Sequence, residues 1–452
     1  MTHRRLHRRD MLVGSAVMAA AAAGCSQQAP KAAKKPATSR KDVPLRVVLM
    51  SGSAKADQEL IERGWAAVTE QPLEIHSIEI ERIGVGEGSP ALSQLIKEAA
   101  RKSDVLVYPL SLTAELSAAN SLTAVSDSEF KEIGGVANPL FPSVRNGIAK
   151  YGGENLSVPL GALLPALLIG DGGFDGKQLA EDAPTNIGLA SWDDYDERVQ
   201  QWGGAASEPT EAGWAGAMFL WRAVTTQGWL FSREDFSPLI ERESYVNALD
   251  LMKRTHDRYQ RKRASPNTVW DAIKTGELKG GIGFEAGQSD GDAEIQVRSM
   301  PGVGDVSRIL FDPFSPVISL SSSCRQSAAA KTFIAWLGGG ETSLSVRKQI
   351  PGMSLVRGRR ASGDQQSEAA RRSYDQWLAE RLETPVTLPT LRLLRADEYY
   401  QVLDHQVGQV LDGMAAPADA LSQVAKEWQA LTSEVGADQQ LRAWLRAQGM
   451  RA

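Results

Sequence analysis

The side chains able to do chemistry are few and scattered. Beyond Cys25 the histidines are His76, His256 and His405, and none belongs to the H-x-x-x-H pair that sets two imidazoles on one helical face for a metal. Cys324 is the one cysteine left after Cys25, so a zinc site of the usual nitrogen and sulfur donors lacks ligands. Gly84–Ser89 (GVGEGS) has the small residues of a phosphate loop but not the lysine that would neutralise a phosphate. Asp171–Gly176 (DGGFDG) begins like a calcium loop, yet Gly173 fills a ligand position and Asp182 stands where the bidentate glutamate belongs. The G-x-S-x-G elbow of a serine hydrolase does not occur. No activated nucleophile or acid–base pair stands out, so the chain reads as a non-enzyme with no metal and no cofactor. Each histidine reads as a surface or locally satisfied residue. Whatever this protein does to a small molecule, the residues point to holding it.

The elements that would hold it are legible from periodicity. Pro44–Met50 (PLRVVLM) is a short apolar run suited to a strand buried on both faces, and Leu73–Ile80 alternates as a strand does. Between them a helix is predicted from Ala54 to about Val68, with Leu60, Ile61, Trp65 and Val68 on one face. Ser89-Pro90 opens a second helix, a side-chain acceptor followed by proline at the first helical position, with Leu92, Leu95, Ile96 and Ala99 as its stripe. Asp104–Leu110 (DVLVYPL) is the next buried strand. Strand, helix, strand, helix, strand in this order implies βαβ units and a parallel sheet with helices on both faces.

From Trp192 onward the texture is helical. Ser191-Trp192-Asp193-Asp194 is a helix start, and helical stretches cover Glu211–Gln227, Tyr245–Arg261 and Thr268–Thr275. Gly280–Glu285 and Arg308–Leu320 are the late strand candidates. Ser321-Ser322-Ser323 is expected to cap a helix carrying Ala330, Phe333, Ile334 and Leu337, which places Cys324 at its start as a small core residue. A helical tail includes Asp397–Leu411 and Asp419–Leu431. No repeat of solenoid period is present.

The first residues carry an address. Arg4, Arg5, Arg8 and Arg9 precede an uncharged run from Met11 to Ala23 that rises only about 20 Å as a helix, short of the ~30 Å of a membrane core. A positive head, short apolar run and small-residue exit make an export signal. Arg8-Arg9-Asp10-Met11-Leu12 resembles a twin-arginine signal. Ala22-Ala23-Gly24-Cys25 resembles the lipobox of bacterial lipoproteins, with Ala22 in place of the usual leucine; cleavage there leaves a lipid-bearing Cys25. The expected plan is a signal peptide over 1–24 and a flexible linker over 25–43, rich in Pro, Ala, Gln and Lys.

Some 410 residues remain, more than one ordinary core accommodates, which implies two lobes or domains. The whole chain is 42% hydrophobic and 23% charged, the composition of a globular protein, with a formal net charge of −5. Removing residues 1–24 takes away four arginines and one aspartate and leaves −8. An acidic chain without a basic stripe excludes nucleic acid as the expected partner. With Cys25 committed and Cys324 alone, no intramolecular disulfide is expected.

The order of segments resembles the extracellular solute-binding proteins of ABC importers, the family that includes maltose-type sugar-binding proteins. Ala91–Val125 is similar to the family's helix, buried strand and following helix. Glu154–Gly170 (ENLSVPLGALLPALLIG) resembles its crossing strand, and Ser191-Trp192-Asp193-Asp194 its "T-W-d-E" helix start. Ser265–Phe284, Ser327–Glu341 and Ala416–Gly436 resemble later segments in the same order. The resemblance implies a two-lobed periplasmic-binding-protein fold, each lobe an α/β unit with a mostly parallel sheet flanked by helices, joined by crossing hinge segments. Lobe 1 is expected over 44–157 plus 306–341, and lobe 2 over 158–305 plus 342–452.

It further implies a small polar solute, a sugar above all, clamped between the lobes of a monomer and delivered to ABC permease subunits by hinge closure, on the periplasmic side of the envelope with Cys25 as membrane anchor. The alternative is a lipoprotein of the same fold that acts as a sensor or interaction module without transport. Open sheets bind ligands beyond their strand ends and pockets favour domain interfaces. On that ground the cleft candidates are Ser51, Gly52 and Ser53 after the first strand, and Pro109, Leu110 and Ser111 after the third. Trp214, Phe219 and Trp221 are candidates on a second-lobe helix, with Phe284, Glu285, Phe314, Tyr399 and Tyr400 beyond them. Aromatic rings suit the C–H faces of a sugar. Leu167-Leu168-Ile169-Gly170 stands where many sugar-binding relatives place a ligand-facing aromatic, which leaves a smaller or less polar solute open.

Overall fold

In the computed structural model the described residues are 42–80, 90–134, 140–170, 173, 189–224, 229–285, 295–302, 308–339, 341–353, 357, 373–383, 386–388 and 390–451. The expected signal (Arg8, Arg9), the anchor Cys25, the spacer and the Gly84–Ser89 loop lie outside them, as does Asp171–Gly176 apart from Gly173.

Strands β1 (Leu45–Ser51), β2 (Leu73–Glu79) and β3 (Val105–Pro109) pair in parallel, with helices α1 (Ala54–Ala66) and α2 (Pro90–Lys102) in the connections. Both faces of β1 are buried: Val47 and Leu49 in one apolar cluster, Val48 and Met50 in another. That explains its unbroken apolar run. α1 buries Ile61 and Trp65, while Val68 lies past its end and is exposed. On α2, Ile96 and Ala99 are buried but Leu95 is 45% exposed, so the stripe is narrower than the sequence suggests.

After the short helices α3 (Thr113–Ala118) and α4 (Asp127–Gly134), strands β4 (Lys150–Tyr151) and β5 (Glu154–Asn155) form a hairpin. β6 (Val158–Pro159) still belongs to the first sheet, a step past the expected boundary at 157. The chain then crosses to β7 (Ala166–Ile169) in a second sheet. Helix α5 (Trp192–Gln201) begins as read: the Ser191 hydroxyl accepts from Asp194 N, and the Asp194 carboxylate accepts from Ser191 N, a full capping box. β8 (Ala206–Ser207), α6 (Ala215–Ala223), α7 (Glu243–Arg258), α8 (Pro266–Lys274), β9 (Gly280–Gly283) and β10 (Gln296–Arg298) complete this layer. The glycines of β9 are needed for contact. A Cβ on Gly281 would lie 2.4 Å from Ser207 O, and one on Gly280 would lie 2.5 Å from the Trp202 ring.

The late run Arg308–Leu320 is two strands. β11 (Arg308–Leu310) and β12 (Pro316–Leu320) are separated by a return crossing to the first sheet. The first sheet has the order β2-β1-β3-β12-β6, with β12 antiparallel to both neighbours. The second is β10-β7-β9-β8, parallel only between β8 and β9. The parallel character is therefore strongest where βαβ units connect consecutive strands. Helix α9 (Ser327–Gly339) starts four residues after the end of the serine triplet. Ser321 does not cap it: its hydroxyl donates to Ala100 O and accepts from Ser323 N. Cys324 precedes the helix, half-buried, and burial pushes its thiol up to about 11.

Helix α10 (Ser373–Glu383), strand β13 (Val386–Leu388), and helices α11 (Ala396–Leu411), α12 (Pro417–Val435) and α13 (Ala437–Ala447) finish the chain. Thr38–Ala452 is a compact unit in which one apolar cluster joins Val48, Leu106 and Tyr108 of the first sheet to Leu167, Ile169 and Ile282 of the second. No helix among the described residues is long and apolar enough to cross a membrane.

His256 departs from its expected role. It is 2% exposed, its Nδ1 has no hydrogen-bond partner, and burial holds its pKa down at about 4, against an ordinary 6.5. The unfolded chain therefore binds a proton between pH 6.5 and 4 that the folded chain refuses, so stability falls as pH drops through that window. The expected loss is ~3 kcal/mol by pH 4. Urea unfolding of the wild type and His256→Phe across this range checks it, the variant's slope being flatter.

Candidate functional site

Two chain crossings define the place where a solute could sit. Leu160–Pro165 leads from β6 to β7, and Phe311–Ser315 leads from β11 back to β12. The crossings are fastened to the first sheet: Leu160 N donates to Pro316 O at 2.9 Å, Leu110 N to Ser315 O at 3.0 Å and Ser111 N to Pro313 O at 2.8 Å. Gly161 permits the close approach, since a Cβ there would lie 1.7 Å from Gly352 O. α10 is clipped to the same crossing through Tyr374, whose hydroxyl donates to Leu164 O (2.7 Å) and accepts from Leu164 N (3.2 Å).

Beside these crossings lies a small pocket of about 30 Å³. Leu164 and Pro165 of the crossing form one wall. Trp221 and Val224, from the end of α6, form the next, and Ser299 and Met300 follow from the segment after β10. Arg308 and Leu310 of β11 and Trp377 and Arg381 of α10 complete it. The Trp221 indole is fixed because Nε1 donates to Leu310 O at 3.0 Å. Trp377 stacks at a tilt on Tyr374, ring centroids 5.6 Å apart, and its buried Nε1 has no hydrogen-bond partner. Arg308 is exposed, with Nη1 3.5 Å from Val224 O. Burial lowers the pKa of the Arg381 guanidinium while Glu380 pulls the other way. The Arg381 guanidinium remains cationic at neutral pH.

α6 is buried along its whole length, and its other face explains how Trp221 is held. Arg222 donates through Nε to Glu208 at 3.1 Å and through Nη2 to the same carboxylate, and its guanidinium lies 4.2 Å from the centre of the Trp192 ring. Tyr259 donates to Glu208 at 2.6 Å and also meets the Tyr195 hydroxyl at 3.2 Å. Burial, then the Glu208 charge, raises the pKa of both tyrosines, so they stay protonated donors. At its N-terminus α6 is held by Asp404 of α11, which accepts from Gly213 N and Gly216 N.

Of the residues the sequence nominated, Trp214, Trp221 and Phe284 come together: Trp214 lies 6.2 Å from Trp221 and 5.7 Å from Phe284, centroid to centroid. Glu285 is half-buried, its charge acting on Tyr374, and Phe314 is half-buried against the shared apolar cluster. Phe219 is fully buried against Tyr245. Tyr399 is fully buried too, its hydroxyl paired with Thr432 and its ring beside Trp428. The Tyr400 hydroxyl meets Thr390 at 2.7 Å and accepts from Leu391 N. Pro109, Leu110 and Ser111 are buried, and the amides of the last two are already engaged by the return crossing. Ser51 donates to Asp57 at 2.6 Å, while Gly52 and Ser53 are exposed beyond β1.

Sequence reasoning missed Trp377 and Arg381. The signal was present as Tyr374, Trp377, Leu378, Arg381 and Leu382 at helical spacing. Ser299, Met300 and Arg308 border stretches without a strong period and carried no signal of their own. Among the described residues no group of three or more His, Cys, Asp or Glu could hold a metal ion. The pocket offers ring faces, a hydroxyl and two guanidinium groups, a set suited to non-covalent recognition of a small solute.

No protein-family model and no curated protein sequence matches the chain. Solved structures do. An ABC transporter solute-binding protein from Agrobacterium radiobacter K84, in complex with ribitol, superposes with a TM-score of 0.64 at 13% identity, covering 86% of this chain and 100% of that one. The sugar-binding protein MalE from Xanthomonas citri gives 0.62 at 13% identity over 87% and 98%. Maltose-bound MalE3 of T. maritima gives 0.59 at 16% identity over 86% and 100%. At such identities the likeness concerns the fold, and it spans essentially the whole of each neighbour. The chain has the two-lobed α/β fold of the solute-binding proteins of ABC transporters.

Proposed function

We propose that this protein is an extracytoplasmic solute-binding protein of an ABC importer, which captures a small sugar or polyol beside its crossing segments, where the small pocket widens as the lobes open. The observation that carries the reading is the coincidence of that fold, matched over the full length of its neighbours, with a pocket flanked by Trp221 and Trp377 where the chain passes between the two sheets. Rings bind the C–H faces of a polyol, and hydroxyl and guanidinium groups take its oxygens. No catalytic residue is required. The two lobes, one around β2-β1-β3-β12-β6 and the other around β10-β7-β9-β8, close on the solute by hinge motion because contacts from both are made together only in the closed state. A monomer tethered by lipidated Cys25, after export through an Arg8-Arg9 signal, hands the solute to permease subunits in the membrane.

A second reading is favoured by one observation. The apolar cluster shared by both sheets resists wide opening, which suits a sensor or interaction lipoprotein whose lobes move little. A thermal-shift screen against monosaccharides, disaccharides, polyols and amino acids tests the proposal. A solute at 100 times its dissociation constant should add about 2.7 kcal/mol of stability. Silence across the panel would contradict solute capture and leave the sensor reading in place.

A further inference from the structure

Between the buried Leu391 and Leu393 stands Arg392, itself 1% exposed. An arginine set so deep costs the structure heavily unless its donors find acceptors. Burial pulls its pKa down to about 10, so the charge is kept at neutral pH. The acceptors it finds are backbone carbonyls from two places far apart in the chain. Nη1 donates to Lys150 O of β4 at 2.7 Å, and Nη2 donates to Ala447 O of α13 at 2.6 Å. Ala447 is the last residue of α13, where a carbonyl lacks a partner within the helix and carries part of the negative end of the helix dipole. A guanidinium fits there.

Further contacts close the same seam. Gly152 N donates to Arg446 O at 2.8 Å, the Tyr151 hydroxyl donates to Ala443 O at 3.3 Å, and the Arg446 guanidinium lies 4.9 Å from the centre of the Tyr151 ring. Tyr151 and Leu156 share a small apolar cluster with Ala443 and Ala447. The two sides of the seam belong to different layers. The β4–β5 hairpin hangs from the first sheet, since Ser319 of β12 donates to Leu156 O at 2.7 Å and β6 follows directly. α13 belongs with the helices of the second layer: the Trp444 ring lies 5.4 Å from Phe231, which stacks on Trp428 of α12 at 5.1 Å. The seam is therefore a connection between the lobes separate from the two crossings, and it shares no residue with the lining of the pocket.

We propose that this seam is the pivot of the hinge: Arg392 keeps the edge between the β4–β5 hairpin and α13 shut, and the lobes part at the pocket instead. Opening the seam would draw Lys150 O away from Ala447 O and strand a buried guanidinium, so a motion that leaves it closed is favoured. The inference rests on the reading that the lobes hinge.

The test is hydrogen exchange at the Gly152 amide, with small-angle scattering, on the full chain and on Arg392→Met; neither readout needs a solute. In the wild type the Gly152 amide is expected to exchange as slowly as the amides of β1. In Arg392→Met it should exchange at least ~100-fold faster, because two charged hydrogen bonds across the seam are lost, while the β1 amides keep their rates and the radius of gyration rises. Arg446→Gln removes only the cation over Tyr151 and should speed the same amide about 3-fold, a measurement that stands even if Arg392→Met does not fold. Wild-type exchange at Gly152 as fast as in an exposed turn overturns the pivot while hinge motion stands. So does an unchanged rate in the variants, or an equal acceleration of the β1 amides, which would mark a purely global loss of stability. Local acceleration at Gly152 with an unchanged radius of gyration overturns both the pivot and the hinge motion beneath it.

Discussion

A Glu208→Ala protein is expected to lose about 3–5 kcal/mol of folding stability. Arg222 and Glu208 are both essentially unexposed, and removing the carboxylate strands a guanidinium among Trp192, Tyr195 and Tyr259. The cost comes from the orphaned charge more than from the lost attraction, because moving an ion out of water is repaid only by a partner. The same logic predicts rescue. Glu208→Leu combined with Arg222→Met removes both charges and is expected to recover most of the loss. Urea unfolding of the two single variants and the double variant measures the coupling. Additive losses would show that the pair does not anchor α6.

Trp221→Ala is expected to act twice, on stability and on binding. The side chain is 1% exposed, and deleting it opens a cavity at a cost of about 3–5 kcal/mol. It also removes a ring wall of the pocket, so solute affinity should fall at least ~10-fold. Trp221→Phe separates the two effects. It keeps most of the buried ring but loses the Nε1 bond to Leu310 O, for an expected cost of ~1 kcal/mol in stability with binding only partly reduced. A Trp221→Ala protein that binds solute as the wild type does would place the solute elsewhere.

Much of the fold was legible where physics acts locally. The apolar runs of β1 and β3 announce strands covered on both faces, and Ser191 with Asp194 announces the start of α5. Ser321–Ser323 misled because hydroxyl groups cap helices and also bond across sheets, and only the position of Ala100 decides between them. The site was less legible for a related reason. A tryptophan on an apolar stripe is core or pocket depending on what faces it, and Phe219, Tyr399 and Tyr400 turned to partners that no local pattern reveals: Tyr245, Thr432 and Thr390. Trp214, Trp221 and Phe284, named separately as candidates, meet in the structure because strand ends and helix faces of one layer come together at its rim. Arg308 and Arg381, 73 positions apart (381 minus 308), converge only through the packing of α10 beside β10 and Leu164.

The most direct test of the account is a crystal structure of the protein with the solute that stabilises it most in the thermal screen. Density for that molecule is expected beside Trp221 and Trp377, near Ser299 and the Arg308 and Arg381 guanidinium groups. Density at the exposed Gly52-Ser53 turn beyond β1, with the pocket beside the crossings unchanged, would contradict it.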